Sequence, residues 1–238
     1  MKILIEALKK TESYCKEIPY FPTTLKYPEE HPDPEELLPF LLLLPLSSQN
    51  QTTTKALHLA AGFQMIHLSR RIHETIQPQT CPSNRTVVLE GDLLSSAAYK
   101  ILEEEGSHQL LAEAAEIMAA ASEAWFFQRD FKKKKETNEE HLLAFLTKDY
   151  GLLCRKAAEI GAKEAHWPIK QTKILCDLAE SMAHIYSTIN RHLPRSWAED
   201  ANQVREAAKA LGFQKEVETM LDSFFALDSA FLIETLRN

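Results

Sequence analysis

Glycine is scarce, with 6 in 238 residues. That disfavours a turn-rich β fold, whose hairpins draw heavily on glycine. Cysteine is scarce too: Cys15, Cys81, Cys154 and Cys176 stand far apart, with no CxxC pair, so neither a zinc site nor a redox motif is indicated. Cys154 and Cys176 fall within helical patterns and are expected as buried small apolar residues. This usage fits a reducing cytoplasm. Positive charge is in deficit, the formal net charge being -7, which argues against a general nucleic-acid binder. The one basic run, 132–135, is followed by Glu136, Glu139 and Glu140 and reads as a solvated loop between helices. Long apolar runs are absent as well. The most apolar stretch, 37–46 (LLPFLLLLPL), carries Pro39 and Pro45 and is too short to span a bilayer. It lies too far from the N-terminus, behind too many acids, for a signal peptide. It is expected as a core helix.

What remains is helix-forming material. Ala, Leu, Glu and Lys dominate, hydrophobic residues make up 45% and charged residues 26%, and the length suffices for one large core. An all-α domain over 1–238 follows, without internal repeats. A Pro-rich segment at 19–34 follows a short amphipathic helix at 1–18. Asp33-Pro34-Glu35-Glu36 opens the Leu-rich helix. Further helices are expected at 54–77, from Gly91 onward, at 107–129, at 138–162 with a break near Gly161, at 168–192, at 198–211 and at 213–236. Ser107 is expected as an N-cap, and Gly212 as a turn.

The segment 64–102 is the centre of the chain. Met65, Ile66, Leu68 and Ile72 are the apolar set of one helix. A Pro/Cys/Pro/Ser/Asn turn follows. Leu93, Leu94, Ala97, Ala98, Ile101 and Leu102 then form an apolar stripe on a second helix opened by Gly91-Asp92.

This hairpin, with Val88-Leu89-Glu90-Gly91-Asp92-Leu93-Leu94 after the turn, resembles the centre of the trans-polyprenyl diphosphate synthases. The resemblance implies an isoprenoid-synthase-type helical bundle. In that family two aspartate clusters hold Mg²⁺ on an allylic diphosphate, a basic site holds the second diphosphate, and an apolar tunnel takes the growing chain. Lewis-acid stabilisation of the leaving group then drives the reaction.

The chemistry-bearing positions have changed. The first Asp-rich motif matches Glu74, Thr75 and Pro78, where one carboxylate remains. The second matches Ser187, Thr188 and Arg191, where none remains. The cationic segment that precedes an early helix matches Asp33 to Pro39, with acids where cations should stand. A Lys-Thr pair that meets the allylic diphosphate becomes Lys148-Asp149, so Lys148 is the one substrate-binding candidate. Ser69 and Arg70 fall at tunnel-lining positions, and a guanidinium there is costly unless paired. A segment of the usual enzyme before the terminal helices is also missing.

Together these losses resemble the small subunit, component I, of heterodimeric hexaprenyl and heptaprenyl diphosphate synthases. No catalytic residue and no metal are then expected in this chain, and Mg²⁺ is expected in a catalytic partner. The partner would be an Asp-rich synthase subunit, in a heterodimer or heterotetramer, and a quinone side chain the end product. Leu93, Ala97 and Ile101 are the subunit-interface candidates. Two other readings stay open. One is a stand-alone helical interaction or ligand-binding protein; the other is a residual enzyme using Glu74 and Lys148. Product length, and whether the isolated chain is monomer or homodimer, are not fixed by the sequence.

Apart from the motifs, no HExxH pair points to a histidine metal site. His73 is expected as a hydrogen-bonded helix residue, and His184 and Arg191 as space fillers where aspartates would be. The aromatic group Trp125, Phe126, Phe127 and Phe131 is expected in core or dimer packing. Trp167 and Trp197 stand near helix starts.

Overall fold

The structure is a computed structural model, and it describes residues 9, 13, 34–49, 52–76, 83–134, 138–191, 193 and 195–237, with the side chains of 35, 83, 126–134 and 227–237 left aside. The expected helix at 1–18 apart from residues 9 and 13, most of the Pro-rich segment, Pro78, and the side chains of the basic run and of Phe126, Phe127 and Phe131 lie outside the described residues.

Nine α-helices and no strand lie among the described residues. A 3₁₀ turn, Pro34–Glu36, leads into α1, Leu37–Ser47. Every residue of α1 from Leu37 to Leu46 is buried, as an all-round apolar helix must be. Burial of each such leucine is worth about 1.5–3 kcal/mol relative to exposure. Its Pro39 sits in the first turn, where a missing N–H costs nothing. Thr53 caps α2, Thr54–Glu74, by accepting from the Ala56 N–H at 3.1 Å. Then come α3, Ser83–Ile101, and α4, His108–Lys134, joined by a π-helical turn, Leu102–Gly106. Ser107 is the expected N-cap, its Oγ accepting from the Leu110 N–H at 3.1 Å.

Asn138 caps α5, Glu139–Leu146. A second π-helical turn, Thr147–Gly151, links it to α6, Leu152–Glu164. The last helices are α7, Ile169–Asn190, α8, Ala198–Leu211, and α9, Gln214–Arg237. Gly212 ends α8 with φ 81°, the left-handed turn that favours glycine. The main apolar core runs from Leu37 to Phe224 and includes all of the buried leucines of α1, and a small second cluster joins Ala124 of α4 to Leu142, Phe145 and Leu146 of α5. Cys154 and Cys176 are buried in helices, as expected. No helix among the described residues is long and apolar enough to cross a membrane.

Two expected boundaries are wrong, both at glycines. Gly91 does not open a helix; it lies in the middle of α3. A β-carbon there would collide with the imidazole of His73 on α2, so this glycine serves close helix approach. Gly161 does not break α6; a β-carbon there would meet the backbone of Leu42 on α1. Periodicity reads a glycine as punctuation, whereas here the missing side chain admits a neighbouring helix.

Candidate functional site

The end of α2, the π turn before α6 and the end of α7 meet at one place. Glu74 is the last residue of α2, Asp149 lies in the π turn, and Arg191 caps the C-terminus of α7. Arg191 forms a fork on Asp149, its Nε donating to Oδ2 and its Nη2 to Oδ1, both at 2.8 Å. The same Nη2 donates to Glu74 Oε1 at 2.7 Å. Arg70, one turn back on α2, places Nε 3.4 Å from Glu74 Oε1 and Nη1 3.5 Å from Asp149 Oδ1. Its Nη1 also donates to the Asp149 backbone carbonyl. A π turn leaves a carbonyl out of the regular helical ladder, and this one finds a cation.

The cluster is buried: side-chain exposure is 2% for Asp149, 9% for Arg191 and 12% for Arg70. Burial alone would push the Arg191 guanidinium down, but Asp149 and Glu74 beside it reverse that and hold it above its ordinary value. Two guanidiniums thus face two carboxylates, with Arg71 a further 3.5 Å contact of Glu74 at the rim. Each member has an oppositely charged neighbour within 3.5 Å, and Arg70 Nε is buried without a hydrogen-bond partner among the described residues. The guanidinium expected to be costly is paired.

Beneath the cluster the interior is aromatic. His67 lies 4.7 Å from Tyr150, Tyr150 lies 5.3 Å from Tyr186, and Tyr186 lies 5.8 Å from Phe224, centroid to centroid. Arg70 sits over the Tyr150 ring at 5.4 Å. These side chains fill the space between α2, the π turn, α7 and α9.

On the other side of the π turn lies a second polar group. Thr147 Oγ1 donates to Glu180 Oε1 at 2.9 Å and lies 3.2 Å from His184 Nε2. Arg155 holds Glu180 and Asp177 at 2.9 and 2.8 Å. His184 Nδ1 is 4.0 Å from Asp200, itself paired with Arg195. Burial lowers the His184 pKa from 6.5; Asp200 and Glu180 pull it up, Arg195 pulls it down, and the net shift is downward. A depressed histidine takes up its proton more readily when unfolded. Its contribution to stability is therefore present above pH 6.5 and lost as pH falls below it. Denaturant unfolding between about pH 7.5 and 5.5 should show the native chain losing stability, and His184→Gln should flatten that slope.

The structure brings Glu74 and Arg191 together, 117 positions apart in sequence. The remaining candidates do not join them. Thr75 is exposed and bonds back to the Ile72 carbonyl at 2.7 Å. Ser187 and Thr188 are buried within α7. Lys148 points to Glu123 at 3.5 Å, on α4. Leu93 is exposed at 38%, beside exposed Val88 and Leu89, whereas Ala97 and Ile101 are half-buried against the core of this chain. Ser69 donates to the Gly91 carbonyl at 2.8 Å. His73 Nε2 lies 3.4 Å from the Val88 carbonyl and 3.3 Å from Asp92, as a hydrogen-bonded helix residue should. The sequence reading missed the role of Asp149. The available signal lay in the resemblance alone, which puts Asp149 at a hydroxyl position and Arg191 at an acidic one.

The Mg²⁺ that this fold implies does not fit these residues, because a guanidinium nitrogen holds the point where the two carboxylates meet. No protein-family model matches the sequence, nor does any curated protein. Solved structures do match. A decaprenyl diphosphate synthase from Rhodobacter capsulatus is 17% identical with a TM-score of 0.63, over 98% of this chain and 86% of that one. A geranyltransferase from Legionella pneumophila is 12% identical with a TM-score of 0.67, over 98% and 97%. A geranylgeranyl pyrophosphate synthetase from the archaeon Geoglobus acetivorans is 17% identical with a TM-score of 0.61, over 96% and 86%. The expected shortening is thus modest against the first and third and slight against the second. At such identities the likeness is one of fold, and the chain has the all-α fold of the polyprenyl diphosphate synthases.

Proposed function

We propose that this chain is a non-catalytic or regulatory subunit of a two-component polyprenyl diphosphate synthase. It pairs with an Asp-rich subunit that carries Mg²⁺ and performs the elongation, and it helps shape the space in which a long chain grows. One observation carries the reading: the side chains at the two degenerate motifs, Glu74 and Arg191, bind each other within a buried, charge-balanced cluster. Catalysis here would need carboxylates free to hold metal on a diphosphate. These are engaged by arginines, which do not deprotonate. The aromatic packing under the cluster supports the same reading, since it fills the space between α2, the π turn and α7 beside the motif positions.

The pairing surface is α3, where Val88, Leu89 and Leu93 are exposed at 38%, 69% and 38%. Large apolar side chains grouped on one helix are suited to a partner helix. Ala97 and Ile101 continue this surface only at their exposed edges.

The test is reconstitution with an Asp-rich synthase subunit. A stable complex is expected, with long-chain product only from the mixture and weakened association for Leu89→Glu/Leu93→Glu. Absence of any complex would leave the stand-alone binding protein as the better reading. Elongation by this chain alone with Mg²⁺ would restore the enzyme reading based on Glu74 and Lys148.

A further inference from the structure

Two carboxylates from separate elements converge on a single nitrogen. Arg191 Nη2 lies 2.7 Å from Glu74 Oε1 and 2.8 Å from Asp149 Oδ1. A point enclosed by carboxylate oxygens of two helical elements is also what a small hard cation seeks. Such an ion binds oxygen at about 2.0–2.6 Å, depending on the metal. It cannot share that point with a guanidinium, which excludes it by volume and by charge.

We propose that Arg191 is a built-in cation standing in the place of a divalent metal ion. The Glu74–Asp149 pair is then a latent divalent-cation site, closed by the chain's own side chain. The inference rests on the non-catalytic reading above and deepens it: the pocket is occupied from within and does not need loading. The charges support the assignment. With Arg191 present, Arg70 and Arg191 balance Glu74 and Asp149. Without it, Arg70 alone faces two carboxylates, with Arg71 touching Glu74 only from the half-exposed rim. Arg70 also donates to the Asp149 backbone carbonyl. The guanidinium, unlike an ion, cannot be chelated or diluted away. The native chain's stability is therefore independent of divalent metal.

Mn²⁺ is the probe, followed by electron paramagnetic resonance of the free ion and by thermal unfolding of the full chain. The native protein should take up no Mn²⁺ and show the same Tm with or without it. Arg191→Gln should bind about one Mn²⁺ per chain, through the two freed carboxylates, and its Tm should rise with Mn²⁺. Adding Asp149→Asn should abolish both effects. If Arg191→Gln folds only when Mn²⁺ is supplied, the same substitution is read through folding.

Three results would overturn the proposal: Arg191→Gln that folds yet binds no Mn²⁺, Arg191→Gln that stays unfolded at any Mn²⁺ concentration, or uptake that persists after Asp149→Asn. Mn²⁺ held by the native chain and lost in Glu74→Gln would overturn it too. None of these readouts involves prenyl transfer. Failure of the non-catalytic reading would appear instead as Mg²⁺-dependent elongation by the native chain alone.

Discussion

Arg191→Ala is expected to destabilise the protein by about 3–5 kcal/mol, because truncating one side of a buried ion pair leaves uncompensated charge behind. The magnitude follows from the geometry. Arg191 supplies three charge-assisted hydrogen bonds, at 2.7–2.8 Å, to two acids. One of those acids, Asp149, has 2% of its side chain exposed, so water cannot replace the lost donors without opening the cluster. Arg70 remains to face both carboxylates, at 3.4 and 3.5 Å, with Arg71 3.5 Å from Glu74 at the rim. The measurement is urea unfolding, with the midpoint falling and the slope unchanged.

A double variant separates charge from packing. Asp149→Leu with Arg191→Met removes a matched pair, leaves Glu74 to Arg70, and should recover most of the loss. Apolar replacement of a complete buried pair is often neutral. A coupling energy of about 1–3 kcal/mol in the cycle is the expected result. Additive losses would mean that the cluster is held by packing alone.

Gly161→Ala is the second large effect, and its sign runs against helix propensity. In an exposed helix interior, alanine gains about 1 kcal/mol over glycine. Here a β-carbon would stand 2.8 Å from the Leu42 carbonyl carbon and 2.9 Å from its Cα, and closer still to its oxygen. Those are backbone atoms of α1, which has no exposed side to move toward, since its residues from Leu37 to Leu46 are all buried. Overpacking of this kind should cost about 3 kcal/mol or more. Gly212→Ala provides the contrast. Its φ of 81° strains an L-residue, but nothing lies within 4 Å of the added carbon, so about 1–2 kcal/mol is expected. Chemical denaturation of both variants decides the ordering. A Gly161→Ala protein as stable as the native chain would mean that α1 and α6 are not packed backbone to backbone.

Much of the fold was legible one segment at a time. The Leu-rich run could only be a core helix, because it is apolar on every face. Ser107, Asn138 and Gly212 do at the ends of helices what their side chains or backbone freedom suit them for. Gly91 and Gly161 were misread for one reason: a glycine that breaks a helix and a glycine that admits a neighbour look the same in one dimension. What distinguishes them is the second helix.

The site divides along the same line. The sequence by itself determined the all-α class and most of the helices, since these are properties of local pattern and residue type. It placed an acid at 149 and arginines at 70 and 191 without saying that they meet. Only the tertiary structure decided that. Glu74 and Arg191 stand 117 positions apart, and bringing them to 2.7 Å depends on α2 and α7 ending at the same level beside the π turn. A charge taken out of water loses its hydration, and only a partner at hydrogen-bonding distance offsets that cost, so pairing is a matter of ångströms. No local pattern encodes such distances, so the balance of charge became visible only after the helices were packed.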